Sequence, residues 1–355
     1  MRPIQARIST GAMAHNLRVA CEHAGNARVF AVVKANAYGH GLSRARRGFA
    51  AASGFGVLTL EDAANLRQMG VSQPILLLEG FFSPDEIPLG ADLDVWPVLH
   101  HAAQMDWLEQ HPPARPFQVF LKFDSGMHRL GFPLAMHAQI IARAQRLRAV
   151  AGITLMTHFA QADEPAGVDW QLRPFLHELN RYDLPWSGAN SAALLRHPAS
   201  RGAWARPGLM LYGASPFPEL SAAELGLRPA MTLHSEIIGV QTLQAGEGAG
   251  YGQLFRADRA MRVGVVACGY ADGYPRHAPT GTPVLVNGRR TRTLGRVSMD
   301  MLCVDLEGCG DAGVGTPVVL WGEGLPVESV AAAAGTVSYE LLCALAARVP
   351  VVEVD

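Results

Sequence analysis

These 355 residues read as an α/β protein: a (β/α)8 barrel of the TIM type over residues 1–227, followed by a mainly-β domain over 228–355. Three observations carry that reading. Hydrophobic residues make up 49% of the chain and charged residues 17%, enough apolar material to bury substantial cores and too little polarity for extensive disorder. Short apolar runs alternate with stretches of helical period from Arg28 to about Tyr212. Beyond residue 228 the texture changes to β-branched runs separated by glycine and proline.

Taken in order, the first ten residues, MRPIQARIST, hold an alternating segment that fits a strand added to the C-terminal domain. The barrel strands are expected in RVFAVV (28–33), GFGVLTL (54–60), PILLLEG (74–80), DLDVWPV (92–98), FQVFLKF (117–123), GITLMTH (152–158), LPWSGA (184–189) and WARPGLMLYG (204–213). Between them, EDAANLRQMG and PLAMHAQIIARAQRLRAV space their apolar residues as helices do. A doubly wound open sheet would give the same local alternation, so periodicity leaves barrel and open sheet both standing. In the second domain, LHSEIIGVQTL, MRVGVVACGY, GTPVLVNG, MLCVDL and GTPVVLWG are the strands, with one helix near Val327 to Ala334.

Thirty basic and thirty-one acidic residues balance to a formal charge of −1, without a polybasic block, which argues against a nucleic-acid or anionic-membrane partner. Five cysteines (21, 268, 303, 309 and 343) form no CxxC pair, so reduced, mostly buried thiols are expected and no metal site. Neither a signal peptide nor an apolar run of about 18 residues is apparent, which points to the cytoplasm.

The strand C-termini of such a barrel build the active site, so polar residues there are the first candidates. Lys34 follows the first strand, Lys122 and Arg129 belong to the fifth and its loop, and His158 ends the sixth. Ser191 follows the seventh, and Arg206 and Gly208 lie in the eighth. A lysine placed directly after a buried strand suits imine chemistry, because desolvation or nearby cations lower an amine's pKa from about 10.4. An isolated lysine would simply close a strand in water; in AVVKANAYGHG the glycines, tyrosine and histidine that crowd behind Lys34 favour the chemical reading.

AVVKANAYGHG resembles the cofactor-lysine segment of alanine racemases. So, in the same order and spacing as in that family, do KFDSGMHRLGF (122–132), THFAQAD (157–163), ANSAA (189–193), RPGLMLYG (206–213), GYG (250–252), GYADGYPR (269–276), VSMDM (297–301) and SYELL (338–342). The resemblance covers nearly the whole chain. It implies a pyridoxal 5′-phosphate (PLP) enzyme that interconverts L- and D-alanine, acting as a head-to-tail homodimer.

The resemblance gives each residue an expected role. Lys34 holds PLP and exchanges the Cα proton on one face, serving D-alanine, while Tyr251 serves the other face and L-alanine; loss from one side and return from the other calls for two groups. A phenol in water is a weak base at neutral pH, so Tyr251 needs positive charge or strong donors nearby. Arg206 faces the pyridine nitrogen, which it cannot protonate, and His158 orients Arg206. Arg129 contacts the PLP phenolic oxygen and the substrate carboxylate, braced by Lys122 if that lysine is carbamylated. Ser191, with Asn190 beside it, and the amides of Gly208 and Leu209 hold the phosphate, helped by Tyr38 and Tyr339; Ser191 also reads as a helix N-cap. Met299 and Asp300 border the substrate, Tyr270 and Tyr339 narrow the entrance, and Tyr251, Tyr270, Met299 and Asp300 reach the other subunit's cofactor. One departure from the family pattern is His128, where glycine is common.

Other readings compete. A non-catalytic PLP carrier on the same barrel would lack the domain at 228–355, and a barrel decarboxylase would be longer and carry a cysteine-centred substrate motif. A racemase of broader specificity would have a wider entrance.

Overall fold

The computed structural model describes residues 2–355. Strand β1 (Gln5–Ser9) and helix α1 (Thr10–Ala24) lead into a set of parallel strands. These are β2 (Arg28–Val32), β3 (Gly54–Val57), β4 (Ile75–Leu77), β5 (Val95–Leu99) and β6 (Phe117–Asp124), then a two-residue β7 (Phe132–Pro133) on β6's edge, β8 (Val150–Met156), β9 (Trp186–Ser187) and β10 (Trp204–Ala205). Their order, β5-β4-β3-β2-β10-β9-β8-β6, is closed by β5 pairing with β6, which makes an eight-stranded parallel barrel and excludes the open sheet. The eighth strand is shorter than its apolar run: after Ala205 come Pro207, which has no N–H, and a 3-10 turn over Leu209–Tyr212.

The barrel's interior is filled by Phe30, Leu76, Val98, Phe120, Met156 and Trp204, with Phe30 stacked on Trp204 at 4.2 Å between ring centroids. These inward positions fix the parity of every strand, because side chains two apart share a face. Lys122 is therefore on the face of Phe120, His158 on that of Met156, Arg206 on that of Trp204, and the Phe30–Val32 face leads on to Lys34. Helix α2 (Leu42–Gly48) follows the Lys34 segment. Helices α3 (Leu60–Gln68), α4 (Glu86–Asp92), α5 (Ala102–Gln110), α6 (His137–Arg146), α7 (Asp169–Leu179) and α8 (Ser191–Arg196) alternate with the strands. In α6 the apolar stripe of the sequence is the buried face, Ile140, Ile141 and Ala144.

The second domain is mainly β. It contains β11 (Met231–Leu243), β12 (Gly248–Ala249), β13 (Phe255–Arg256), β14 (Met261–Val266), β15 (Pro283–Val286), β16 (Arg289–Leu294), β17 (Leu302–Asp305), β18 (Pro317–Trp321) and β19 (Val351–Val354). The main sheet runs β14-β17-β16-β15-β18-β11-β1-β19, with β11 also pairing with β14, and β12 and β13 form a separate hairpin. Strand β16, RRTRTL, has no apolar run to betray it: its arginines are exposed and only Thr293 and Leu294 are buried. Helix α9 spans Val327–Ala334, and a second helix, α10 (Ser338–Cys343), which the sequence reading lacked, carries Tyr339.

By packing, the chain divides into two units, one of Met1–Met13, Tyr38–Arg44 and Tyr212–Asp355, the other of Ala14–Ala37 and Ala45–Leu211. Among the described residues no helix is long and apolar enough to cross a membrane, and no three His, Cys, Asp or Glu side chains are grouped to hold a metal ion. None of the five cysteines is in a disulfide, but only Cys268 and Cys309 are buried; Cys21 and Cys343 are exposed, which corrects the expectation of mostly buried thiols.

Candidate active site

Backbone strain marks the lysine segment. Directly after Lys34, Ala35, Asn36, Ala37 and Tyr38 all have φ between 51° and 55°, a left-handed turn without a glycine. Each such residue costs roughly 1–2 kcal/mol, so the surrounding structure must over-determine the turn. One anchor is the Ala37 N–H, which donates to Val33 O at 2.9 Å. Gly39 then continues at φ 78°, where a Cβ would lie 2.1 Å from the Leu342 carbonyl oxygen. On the same unit, Tyr38 is buried, stacks on Tyr212 at 4.6 Å and lies 6.0 Å from Tyr339.

The barrel unit brings the predicted cations together. His158 lies within electrostatic reach of Arg206, Lys122, Arg129 and Lys34: burial first, and then these four charges in that order, push its imidazole well below the usual range. It is therefore neutral at pH 7. Arg206, 5% exposed, donates to Thr157 O at 2.8 Å, Gly188 O at 3.4 Å and the Ser187 hydroxyl. Burial lowers its guanidinium to about 10, which leaves it protonated at neutral pH. Lys122, 6% exposed, is lowered to about 8 by burial and then by Arg206 and Arg129, with Asp124 and Glu79 acting in the opposite sense.

Arg129 is exposed at the tip of the loop after β6. Just before it, His128 sits at φ 53°, the region that favours the family's glycine. Here Asp124 compensates by accepting from the His128 N–H at 3.0 Å and from its Nδ1 at 2.9 Å.

At the start of α8 the N-cap is Asn190, whose side chain accepts from Ala193 N at 3.0 Å. This corrects the reading of Ser191 as a cap. Ser191 is the first helical residue, and its hydroxyl instead receives Gly208 N at 2.9 Å and Met210 N at 3.3 Å, so it binds the segment that carries Leu209.

In the other unit, Tyr251 is 71% exposed in a 3-10 turn between β12 and β13, flanked by Gly250 and Gly252 at φ 71° and 72°. Tyr270 and Met299 are also exposed and belong to two joined loops: Tyr270 N donates to Ser298 O and Ala271 N to Met299 O, each at 3.0 Å. Asp300 accepts from Arg348 at 2.7 Å.

Sequence reasoning missed Thr157 and Ser187, the partners of Arg206, and Gln171. The Gln171 side chain, wholly buried, donates to His158 O at 3.1 Å and accepts from Ala160 N at 2.7 Å. Thr157 acts through its carbonyl, which no side-chain motif records. A glutamine inside an amphipathic helix carried no signal beyond its position on the buried stripe with Leu172 and Phe175.

Comparison with known proteins places this arrangement. The model of the alanine racemase N-terminal domain matches residues 8–216, and that of the alanine racemase C-terminal domain matches 230–353. An alanine racemase of Thiobacillus denitrificans is 74% identical over 354 residues, covering 100% of this chain and 96% of the relative. One from Nitrosomonas eutropha is 52% identical over 359 residues, covering 100% and 99%. Among solved structures, the biosynthetic alanine racemase of Pseudomonas aeruginosa superposes with a TM-score of 0.97 at 47% identity, covering 100% of both chains. That of Acinetobacter baumannii gives 0.94 at 38%, again over 100% of both. The chain thus belongs to the alanine racemase family, and its activity is that of an isomerase acting on alanine.

Proposed function

We propose that the two acid–base groups of this racemase are Lys34 and Tyr251, acting on opposite faces of one substrate bound to PLP. The observation that supports the reading is that Lys34, Lys122, Arg129 and Arg206, from the ends of barrel strands β2, β6 and β10 or the loops after them, all lie within electrostatic reach of buried His158. That donor set fits the cofactor: an amine at a strand end for its aldehyde, a permanently charged guanidinium for its ring, and a hydroxyl with backbone amides beside a helix start for its phosphate. When bound, PLP supplies a conjugated electron sink for the electron pair left on Cα.

Lys34 holds the cofactor and, once displaced from it, carries the Cα proton on one side; Tyr251 carries it on the other. By the family resemblance, Lys34 serves D-alanine and Tyr251 L-alanine. Arg206, protonated, held by three acceptors and with a pKa of about 10 far above that of a pyridine nitrogen, keeps its proton rather than passing it to the ring, which limits how far charge leaves Cα and so favours return of the proton there. His158 is a neutral neighbour whose backbone is pinned by Gln171. Ser191, Asn190, Gly208 and Leu209 form the phosphate end, with the hydroxyls of Tyr38 and Tyr339. Arg129, Met299 and Asp300 receive the substrate carboxylate, and Tyr270 and Tyr339 limit the side chain to a methyl group.

Lys122, with an amine near 8, has a usable neutral fraction at neutral pH, the form that adds CO2. The carbamate anion so formed would brace Arg129. We further propose that the active unit is a cytoplasmic homodimer in which the domain at 228–355 delivers Tyr251, Tyr270, Met299 and Asp300 to the other subunit's barrel at 1–227. The exposure of Tyr251 (71%), Leu254 (63%) and Met299 (52%) supports a surface that is covered in the working protein.

A chiral product assay tests the pair. Tyr251→Phe should keep the visible absorbance of the lysine-bound cofactor while losing most racemisation in both directions, and Lys34→Ala should lose both. A Tyr251→Phe enzyme that still racemises at near wild-type rate would overturn the assignment.

A further inference from the structure

Asp272 has a wholly buried side chain, in the turn that carries Tyr270. Its Oδ1 accepts from Arg2 Nη1 at 2.7 Å and from Arg348 Nε at 2.8 Å, and its Oδ2 from Arg2 Nη2 at 3.0 Å and from Gly269 N–H at 2.9 Å. Each arginine also reaches the Met299 loop: Arg348 Nη2 donates to Asp300 Oδ1 at 2.7 Å, and Arg2 Nη2 to Asp300 O at 2.8 Å. Two guanidiniums and two carboxylates thus form a neutral cluster that ties residue 2, the 269–273 turn, the 298–300 loop and residue 348 together.

The contact it controls is tight. A Cβ at Gly269 would lie 2.3 Å from Met299 O and 2.4 Å from Ser298 O, so the two loops are already at closest backbone approach. A buried carboxylate that lost an arginine would have to pull water or another donor into this space, moving Tyr270 against Met299.

We infer that Asp272 with Arg348 and Arg2 is a positioning device that sets the spacing of Tyr270 and Met299, and through it the affinity for alanine and the rejection of longer side chains. This rests on the reading that Tyr270 and Met299 border the substrate. Arg348 is the informative member because its fork spans both carboxylates, which a single ammonium cannot do.

The test compares Arg348→Met, Arg348→Lys and Asp272→Asn with Met299→Ala and Tyr270→Ala, measuring kcat and KM for L-alanine, the serine-to-alanine ratio of kcat/KM, and Tm. Arg348→Met should raise KM by about tenfold, with kcat falling less than KM rises, and should shift the serine-to-alanine ratio toward serine. Arg348→Lys should recover Tm but not KM or the ratio. A lysine that restores KM, or an Arg348→Met enzyme with unchanged KM and ratio while Met299→Ala moves both, overturns the inference. If Met299→Ala and Tyr270→Ala leave both quantities unmoved, the substrate-border reading itself fails and the inference falls with it.

Discussion

Arg206 Nη2 donates to the carbonyl oxygen of Thr157 at 2.8 Å, so the most buried guanidinium of the barrel is held by backbone and hydroxyl groups rather than by a carboxylate. Its positive charge is left uncompensated by that shell. Arg206→Lys, unable to reproduce the fork, should lose about 1–3 kcal/mol of stability in urea titrations along with most of the racemisation rate. Arg206→Glu should raise pyruvate formed per racemisation event, read in a coupled assay, because a carboxylate would allow the ring nitrogen to be protonated.

Lys122 makes stability depend on pH. Its amine is lowered from 10.5 to about 8, so protonation costs more in the folded state than in the unfolded chain. That cost is complete below about 8 and vanishes above 10.5, so stability should rise with pH across this window, by about 3 kcal/mol in total. The rise should show in wild type relative to Lys122→Met in CO2-free buffer. Added bicarbonate should flatten it, because a carbamate no longer binds that proton.

If the sites are shared between subunits, inactive variants should rescue each other. A mixed population of Lys34→Ala and Tyr251→Phe subunits, reassociated at equal amounts, forms hybrids in half of its dimers, each with one intact site. Activity should return to about a quarter of wild type. Two self-contained sites would give none.

Phe30, with no exposure, stacks on Trp204 in the core cluster that also holds Phe120; Trp204 and Phe120 stand two residues before Arg206 and Lys122 respectively. Phe30→Ala should cost about 3–5 kcal/mol in chemical denaturation. At His128 the expected order is informative: glycine relieves the φ of 53°, whereas alanine keeps the strain and loses the Asp124 partner. His128→Ala should therefore be less stable than His128→Gly, by about 1 kcal/mol in Tm-derived free energy.

Much of the fold is legible in the sequence. Apolar alternation locates the barrel strands, and the polar residues at their ends, Lys34, Lys122, His158 and Arg206, are the candidates it offers. The parity that sends Lys122, His158 and Arg206 inward is also written in the sequence, since each stands two residues after a core side chain. What could not be read is carried by the main chain or by sparse polar residues: the Thr157 carbonyl, the left-handed run after Lys34, and strand β16, whose outward arginines hide its period. The Asp272 cluster was illegible for another reason. Its members are separated by up to 346 residues, and no local pattern announces a contact of that range.

Strand β1 lies between β11 and β19, with Ala6 opposite both Leu233 and Val351. Strand β1 therefore waits for a partner made 345 residues later, at Val351 opposite Ala6. Until residues 351–354 emerge, its backbone donors have one neighbour at most, and a nascent chain halted before them carries an open sheet edge available to other chains. Deleting residues 351–354 should consequently harm solubility during synthesis more than it harms the finished enzyme's chemistry.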